Sequence, residues 1–387
     1  MANSFTNVIP QILKQALPVL RQQSIMPRLI NRDIANEPME RGNTVDIGIA
    51  DAGTVRDVTP GVTTTAINVT GSKVTLNLNI WREAGHTVTD KDLSEVMNGY
   101  LPRQAEEDIK ALVNDIDQKI MDEAYKSFYN FAGTTGTTPF AGAAPVTSLA
   151  DFNTTRVQLN TGLAPMSNRS IVLDPAAEGS ALIMSPFIKA DERGDQGAIL
   201  EGQIGRKLGV DWYMSQNVRT FTPGTLSNVT AVVTKIAYAS GATTVAFDRA
   251  TLTGTLKRGD LFTLAGNQYV ITATATAGTN IITVAIDPPL KAAVASNITA
   301  TFLAIHGATP TSQVNNLHFH RDAIAFASRP LISTFAGGNQ IGSIVDPVSG
   351  LVLRAELSRQ NKQTALMFDI LCGVKCVRSA LGSRILG

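Results

Sequence analysis

The feature that most limits what this chain can fold into is residues 101–131, LPRQAEEDIKALVNDIDQKIMDEAYKSFYNF, a stretch that predicts one long amphipathic helix. Ala105, Ile109, Leu112, Val113, Ile116, Ile120, Ala124 and Phe128 recur at steps of three and four, so they share one apolar stripe. The other face is charged. Glu106 before Lys110, Asp115 before Lys119 and Asp122 before Lys126 stand in the favourable order, each worth about 0.2–0.5 kcal/mol on a solvated face. Pro102 suits the first turn, and Glu106, Glu107 and Asp108 sit near the positive end of the helix dipole. Gly133, Gly136 and Pro139 mark the stop. At about 1.5 Å per residue the rod is roughly 45 Å long, more than most globular helices. It reads as a spine that other elements must cover.

A chain of 387 residues can bury a large core and is expected to form two or three domains. With 44% hydrophobic and 17% charged residues it is globular, and a net charge of +1 argues against a sequence-wide affinity for nucleic acid or anionic membrane. The N-terminus lacks the basic region and continuous apolar core of a signal peptide, and no run of about 20 apolar residues occurs. The expectation is a soluble protein made in a cytoplasm.

Residues 1–40 form an N-terminal arm. Its helical pattern (Ile9, Leu13, Leu17, Leu20) is interrupted by Pro10, Pro18 and Pro27, and Lys14, Arg21, Arg28 and Arg32 make it basic. Such a segment has no core of its own and must lie along its own body or a neighbouring chain. From Thr44 the period changes to two: Val45, Ile47 and Ile49, then Val74, Leu76, Leu78 and Ile80, alternate with polar residues. This predicts a two-stranded β arm within 41–100, with a Thr- and Gly-rich tip and a short helix near Asp90–Met97. An isolated hairpin is marginal in water, so its apolar face needs another surface. Residues 151–221 alternate helices and strands, as in an α+β domain. From 222 to 310 the chain is Thr, Ala, Val and Ile in period two with turn signals about every ten residues, which predicts a separate antiparallel β domain inserted into the first. Residues 311–335 then read as return strands and 336–387 as closing strands.

Motifs of catalysis are few. His318 and His320 would share a strand face, but no further ligand stands at obvious spacing. GQIGRK fails the phosphate-loop pattern because Leu208 follows Lys207, so its glycines are read as turn residues. CGVKC supplies Cys372 and Cys376, two of the roughly four ligands a structural zinc needs, and reads as two reduced, packed thiols. Two RGD tripeptides, Arg193–Asp195 and Arg258–Asp260, are read as turns. No catalytic residue, cofactor or metal is expected.

The order of segments, together with GQIGRKLGVDWYMSQNV, LKRGDLFTLAGNQYV, NLHFHRDAIAFASRPL, SGLVLRAELSRQ and DILCGVKCVRSALGSRI, resembles the major capsid (coat) protein of tailed bacteriophages, the Hong Kong 97-like fold, and within it the short-tailed Salmonella phage type that carries an inserted β barrel. The resemblance implies an α+β structural protein whose spine helix and closing strands form a peripheral domain (101–150 and 336–387). Residues 151–221 and 311–335 would form an axial domain, and the β arm would reach over a neighbour. It further implies pentamers and hexamers of an icosahedral shell in the virion, assembled in a host bacterial cytoplasm around double-stranded DNA, with a scaffolding protein and a portal protein as partners and no membrane. Val74, Leu76, Leu78 and Ile80 of the β arm, and Lys14, Arg21 and Arg28 of the basic arm, are the expected contacts between subunits. The rival reading is a monomeric binding module whose β domain recognises protein or glycan.

Overall fold

A computed structural model describes residues 8–33, 43–49, 55, 57–58, 60–61, 71–89, 100–141, 149–184, 187, 204–229, 231–303, 306–307, 309–331 and 339–387. The spine helix runs Tyr100–Ser127. All eight stripe residues are buried, from Ala105 at 7% exposed to Phe128 at 0%. The expected last turn, up to Phe131, is not helical: Phe128 still donates to the Ala124 carbonyl, but Asn130–Gly133 is a strand parallel to Gly382–Leu386. Tertiary pairing overrides helical periodicity there. The Phe128 ring lies against Gly382, where a Cβ would stand 2.3 Å away, and Asn130 Nδ2 donates to the Gly382 carbonyl.

The charged face of the spine is also less solvated than its sequence implies. Lys110 pairs with Glu107 (2.7 Å), and the Asp115–Lys119 and Asp122–Lys126 pairs are long, at 3.9 and 3.5 Å. The acids are shared with other elements, since Arg82 reaches Asp115, Arg219 reaches Asp122, and Arg258 reaches Glu123.

Among the described residues two large sheets flank this helix. One is five-stranded and antiparallel: Ile324–Arg329, Gln363–Cys376, Val352–Gln360 and Gln340–Val345 in order, with Ile80–Thr89 also paired to the long strand Gln363–Cys376. Leu353, Ala355, Phe368, Ile370 and Cys372 of this sheet join the spine's stripe and Leu13, Ala16 and Leu20 of the arm in the main core. The other sheet is mixed and seven-stranded, ordered Asn130–Gly133, Gly382–Leu386, Gln313–His320, Arg169–Leu173, Val210–Met214 and Arg206–Lys207, with Thr220–Phe221 paired to Gln313–Val314. Helices Ala150–Thr161 and Pro175–Leu182 complete this part, the second started by Asp174, whose Oδ2 accepts from the Ala176 N–H.

Between Phe221 and Gln313 the chain makes a closed six-stranded barrel from Val232–Thr234, Thr244–Asp248, Leu261–Leu264, Asn267–Ile271, Ile281–Asp287 and Thr299–Phe302. Alternation along Ile281–Asp287 places Ile282, Val284 and Ile286 inside. Phe247, Phe262 and Phe302 meet ring to ring at 5.4–5.5 Å to fill the interior. Every member of that core lies between Leu226 and Phe302, so the barrel buries its own apolar surface. The expected helix near Asp90–Met97, most of the β-arm tip and the first RGD tripeptide lie outside the described residues.

Candidate interaction surfaces

Chemistry is sparse among the described residues, where no group of three or more His, Cys, Asp and Glu could hold a metal. His318 is fully buried, stacked on Phe152, with Nδ1 2.9 Å from the Thr155 hydroxyl; burial, with Arg169 and Arg156 nearby, pushes its imidazole down to about 3. It is a neutral core group. His320 is also buried, and its Nδ1 accepts from the Asp322 N–H. Gly205, Leu208 and Gly209 all take positive φ around the tight hairpin joining Arg206–Lys207 to Val210–Met214, so GQIGRK ends in a turn. Both cysteines are free, and burial raises both thiols. No described helix is long and apolar enough to cross a membrane.

The β arm is a hairpin in which Thr44–Ile49 pairs with Ser72–Asn77, from Thr44 opposite Asn77 to Ile49 opposite Ser72. Its apolar face is shared out differently from the expectation. Leu76 (0% exposed) and Leu78 (6%) pack with Val45 on Ala325 and Ala327 of the same chain, so they close an internal core and are not available to a neighbour. Ile80 lies past the end of the hairpin strand, opposite Cys372, and packs on the main core. Val74 is half-buried. The physical reason is that the arm's base lies on the five-stranded sheet, which takes up the surface a free hairpin would leave wet. Lys73 is exposed and ion-paired to Asp46 at 2.7 Å; that hydrogen bond raises the ammonium and, with one from Thr75, lowers the carboxyl.

The N-terminal arm lies on its own body, as helices Val8–Gln23 and Met26–Leu29. Arg21 is held by Asp346 (2.7 Å), a carboxylate that also caps the turn through Ser349, and Arg32 donates to the Val348 carbonyl at 2.5 Å. Asp33 pairs with Arg321 (2.7 Å), and the Asn31 N–H and carbonyl bond to the backbone around Ile324 and Phe326. Of the basic contact candidates, Arg21 is therefore an internal partner, whereas Lys14 and Arg28 are exposed. Asp117, from the spine, accepts the Ile25 N–H between the two arm helices at 3.2 Å. The sequence held one sign of this role: Asp117 lies four after Val113 and three before Ile120, on the side of the stripe.

The barrel meets the body through the turn Lys257–Asp260. Arg258 reaches Glu123 (2.8 Å) on the spine, and Arg384 of the last strand, fully buried, donates to the carbonyls of Gly259 and Phe128, both at 2.9 Å. Burial pushes that guanidinium down to about 9, opposed by the nearby Asp260. Asp260 caps the turn by accepting from the N–H groups of Lys257 (2.6 Å) and Gly224, and burial raises its carboxyl. Beside this, Gln268 takes the place of a neighbouring strand for Phe131: its Oε1 accepts the Phe131 N–H and its Nε2 donates to the Phe131 carbonyl, each at 3.0 Å. An apolar patch of Tyr129, Leu261, Val270 and Leu386 fills the joint. A cleft of about 450 Å³ remains alongside, lined by Glu123, Arg258, Asp287, Lys375 and Ser379 among others.

Neither a known family pattern nor a curated protein sequence matches this chain. Solved structures do. A chain of Mycobacterium phage Che8 is 16% identical, with 94% of this chain and 90% of that one covered and a TM-score of 0.53. The capsid structure of the cyanophage P-SCSP1u gives 13% identity, 94% and 87% coverage, and a TM-score of 0.52. At such identities the likeness is one of fold, so this α+β chain shares its fold with a phage capsid chain across nearly its whole length.

Proposed function

We propose that this chain is the major capsid protein of a tailed bacteriophage, a structural protein and not an enzyme. The observation that supports the reading is the likeness of fold to the capsid structure of cyanophage P-SCSP1u, which covers 94% of this chain and 87% of that one. In the finer reading the fold is Hong Kong 97-like, with the barrel as the inserted domain of the short-tailed Salmonella phage type. Copies of the chain form pentamers and hexamers of an icosahedral shell around double-stranded DNA, with a scaffolding protein and a portal as assembly partners. Within that reading, Val74 and the arm beyond Ile49 and Ser72 are the contacts offered to a neighbour, with Lys14 and Arg28 on the exposed side of the N-terminal arm.

Electron microscopy of the purified protein tests this directly. Closed shells or capsomer rings are expected. A monodisperse particle the size of one chain, by microscopy and light scattering, would overturn the proposal and favour a monomeric binding module.

A further inference from the structure

The N-terminal arm is fastened to the spine at a carboxyl group that has no cation bonded to it among the described residues. Asp117 is 0% exposed, and its Oδ2 accepts the Ile25 N–H where the chain breaks between helices Val8–Gln23 and Met26–Leu29. Its Oδ1 has no partner among the described residues, and neither does the Oγ of Ser24, also fully buried. The charges on nearby elements are committed elsewhere. On the spine, Asp115 and Lys119 pair with each other and Asp115 with Arg82; on the arm, Arg21 is taken by Asp346. Arg28 is exposed and lowers the carboxyl through its charge, with no ion pair to Asp117 among the described residues. A carboxylate desolvated in this way is costly unless it is neutralised by a proton.

We propose that Asp117 is a proton-operated latch, which holds the N-terminal arm tightly on the spine when the carboxyl is protonated and loosely when it is ionised. In the docked state burial outweighs the N–H bonds from Ile25 and Met26 and moves the carboxyl up to about 7. With the arm lifted, Asp117 returns to the ordinary carboxylate range near 3.9. The docked value is the higher one, so docking is strongest below the undocked value and weakens as pH rises towards 7. The loss is about tenfold in the docking equilibrium per pH unit between roughly 4.5 and 7, with a plateau above.

The test is amide hydrogen exchange of the full chain between pH 4.5 and 8.5, corrected for the intrinsic pH dependence of exchange and read at the amides of residues 8–33. In the unaltered protein, arm opening should rise about tenfold per pH unit and level off near pH 7. In Asp117→Asn, the profile should be flat and the arm more protected at pH 7.5 than in the parent. A flat profile in the parent, or an unchanged slope in the variant, would overturn the latch. Should the variant not fold, the carboxyl ¹³C shift of Asp117 in the parent decides: a midpoint near 7 supports the proposal, and a midpoint near 4 overturns it.

Discussion

Arg384 and Gly259 are 125 residues apart in sequence and meet at 2.9 Å, where a buried guanidinium on the last strand takes the carbonyl of the barrel's docking turn. The same side chain takes the Phe128 carbonyl just beyond the spine, so three separate segments converge on one charge. Arg384→Met leaves both carbonyls without their donor and removes one of the positive charges that act on Asp260. The expected cost is about 3–5 kcal/mol in denaturant unfolding. A loss below 1 kcal/mol would mean that the joint is held by its apolar patch instead.

Gly259 has φ +104, and a Cβ there would lie 3.3–3.4 Å from Lys126. Gly259→Ala therefore meets both backbone strain and a crowded helix end, at an expected cost of about 1–3 kcal/mol. The same measurement checks it.

The barrel's core is built wholly from its own residues, so the segment is expected to fold alone. Residues 220–310 expressed separately should give a dispersed amide spectrum. A disordered spectrum would show that contacts such as Gln268 with Phe131 are needed to form the barrel.

Particles should carry no covalent crosslinks through Lys73. That amine is exposed, and its hydrogen bond to Asp46 raises it, so it stays protonated and is a poor nucleophile up to strongly alkaline pH. Boiling in detergent should give one band at the chain's mass, and a ladder of multimers would contradict this.

Replacing residues 50–71 with Asn-Gly would close the hairpin directly after Ile49 opposite Ser72, with a turn suited to two residues. Leu76 and Leu78 keep their places on Ala325 and Ala327, so the variant should be soluble and melt cooperatively. Without residues 50–71 it should no longer form the shell proposed above. Assembly by this variant, or failure to fold, would remove the arm's proposed role.

Periodicity made the spine, the long strands and the barrel legible, because each buries a face with a regular repeat. It also misplaced two things. Phe128 falls on the helical stripe but is followed by a strand, since the pairing of Asn130–Gly133 with Gly382–Leu386 is a long-range fact that local spacing cannot carry. Leu76 and Leu78 alternate like residues of an unpartnered hairpin, and nothing local tells which surface covers them. The polar joints were invisible for a related reason. Arg384, Gln268 and Asp117 are ordinary surface residue types, and each acquires its role only from a partner 92 or more residues away.

The two strands that lead into and out of the barrel, Thr220–Phe221 and Gln313–His320, are paired with each other through Gln313 and Val314. For the seven-stranded sheet, the intervening chain is then a loop whose ends are already joined. Its closure entropy grows only with the logarithm of length, about 0.6 kcal/mol per doubling. Loop closure therefore differs little between a short turn and a whole domain, and what the sheet would lose with the barrel is the partners of Arg384 and Phe131. This makes the Phe221 to Gln313 junction the natural place to graft a foreign sequence, provided the graft brings a core of its own and covers the edge at Phe131.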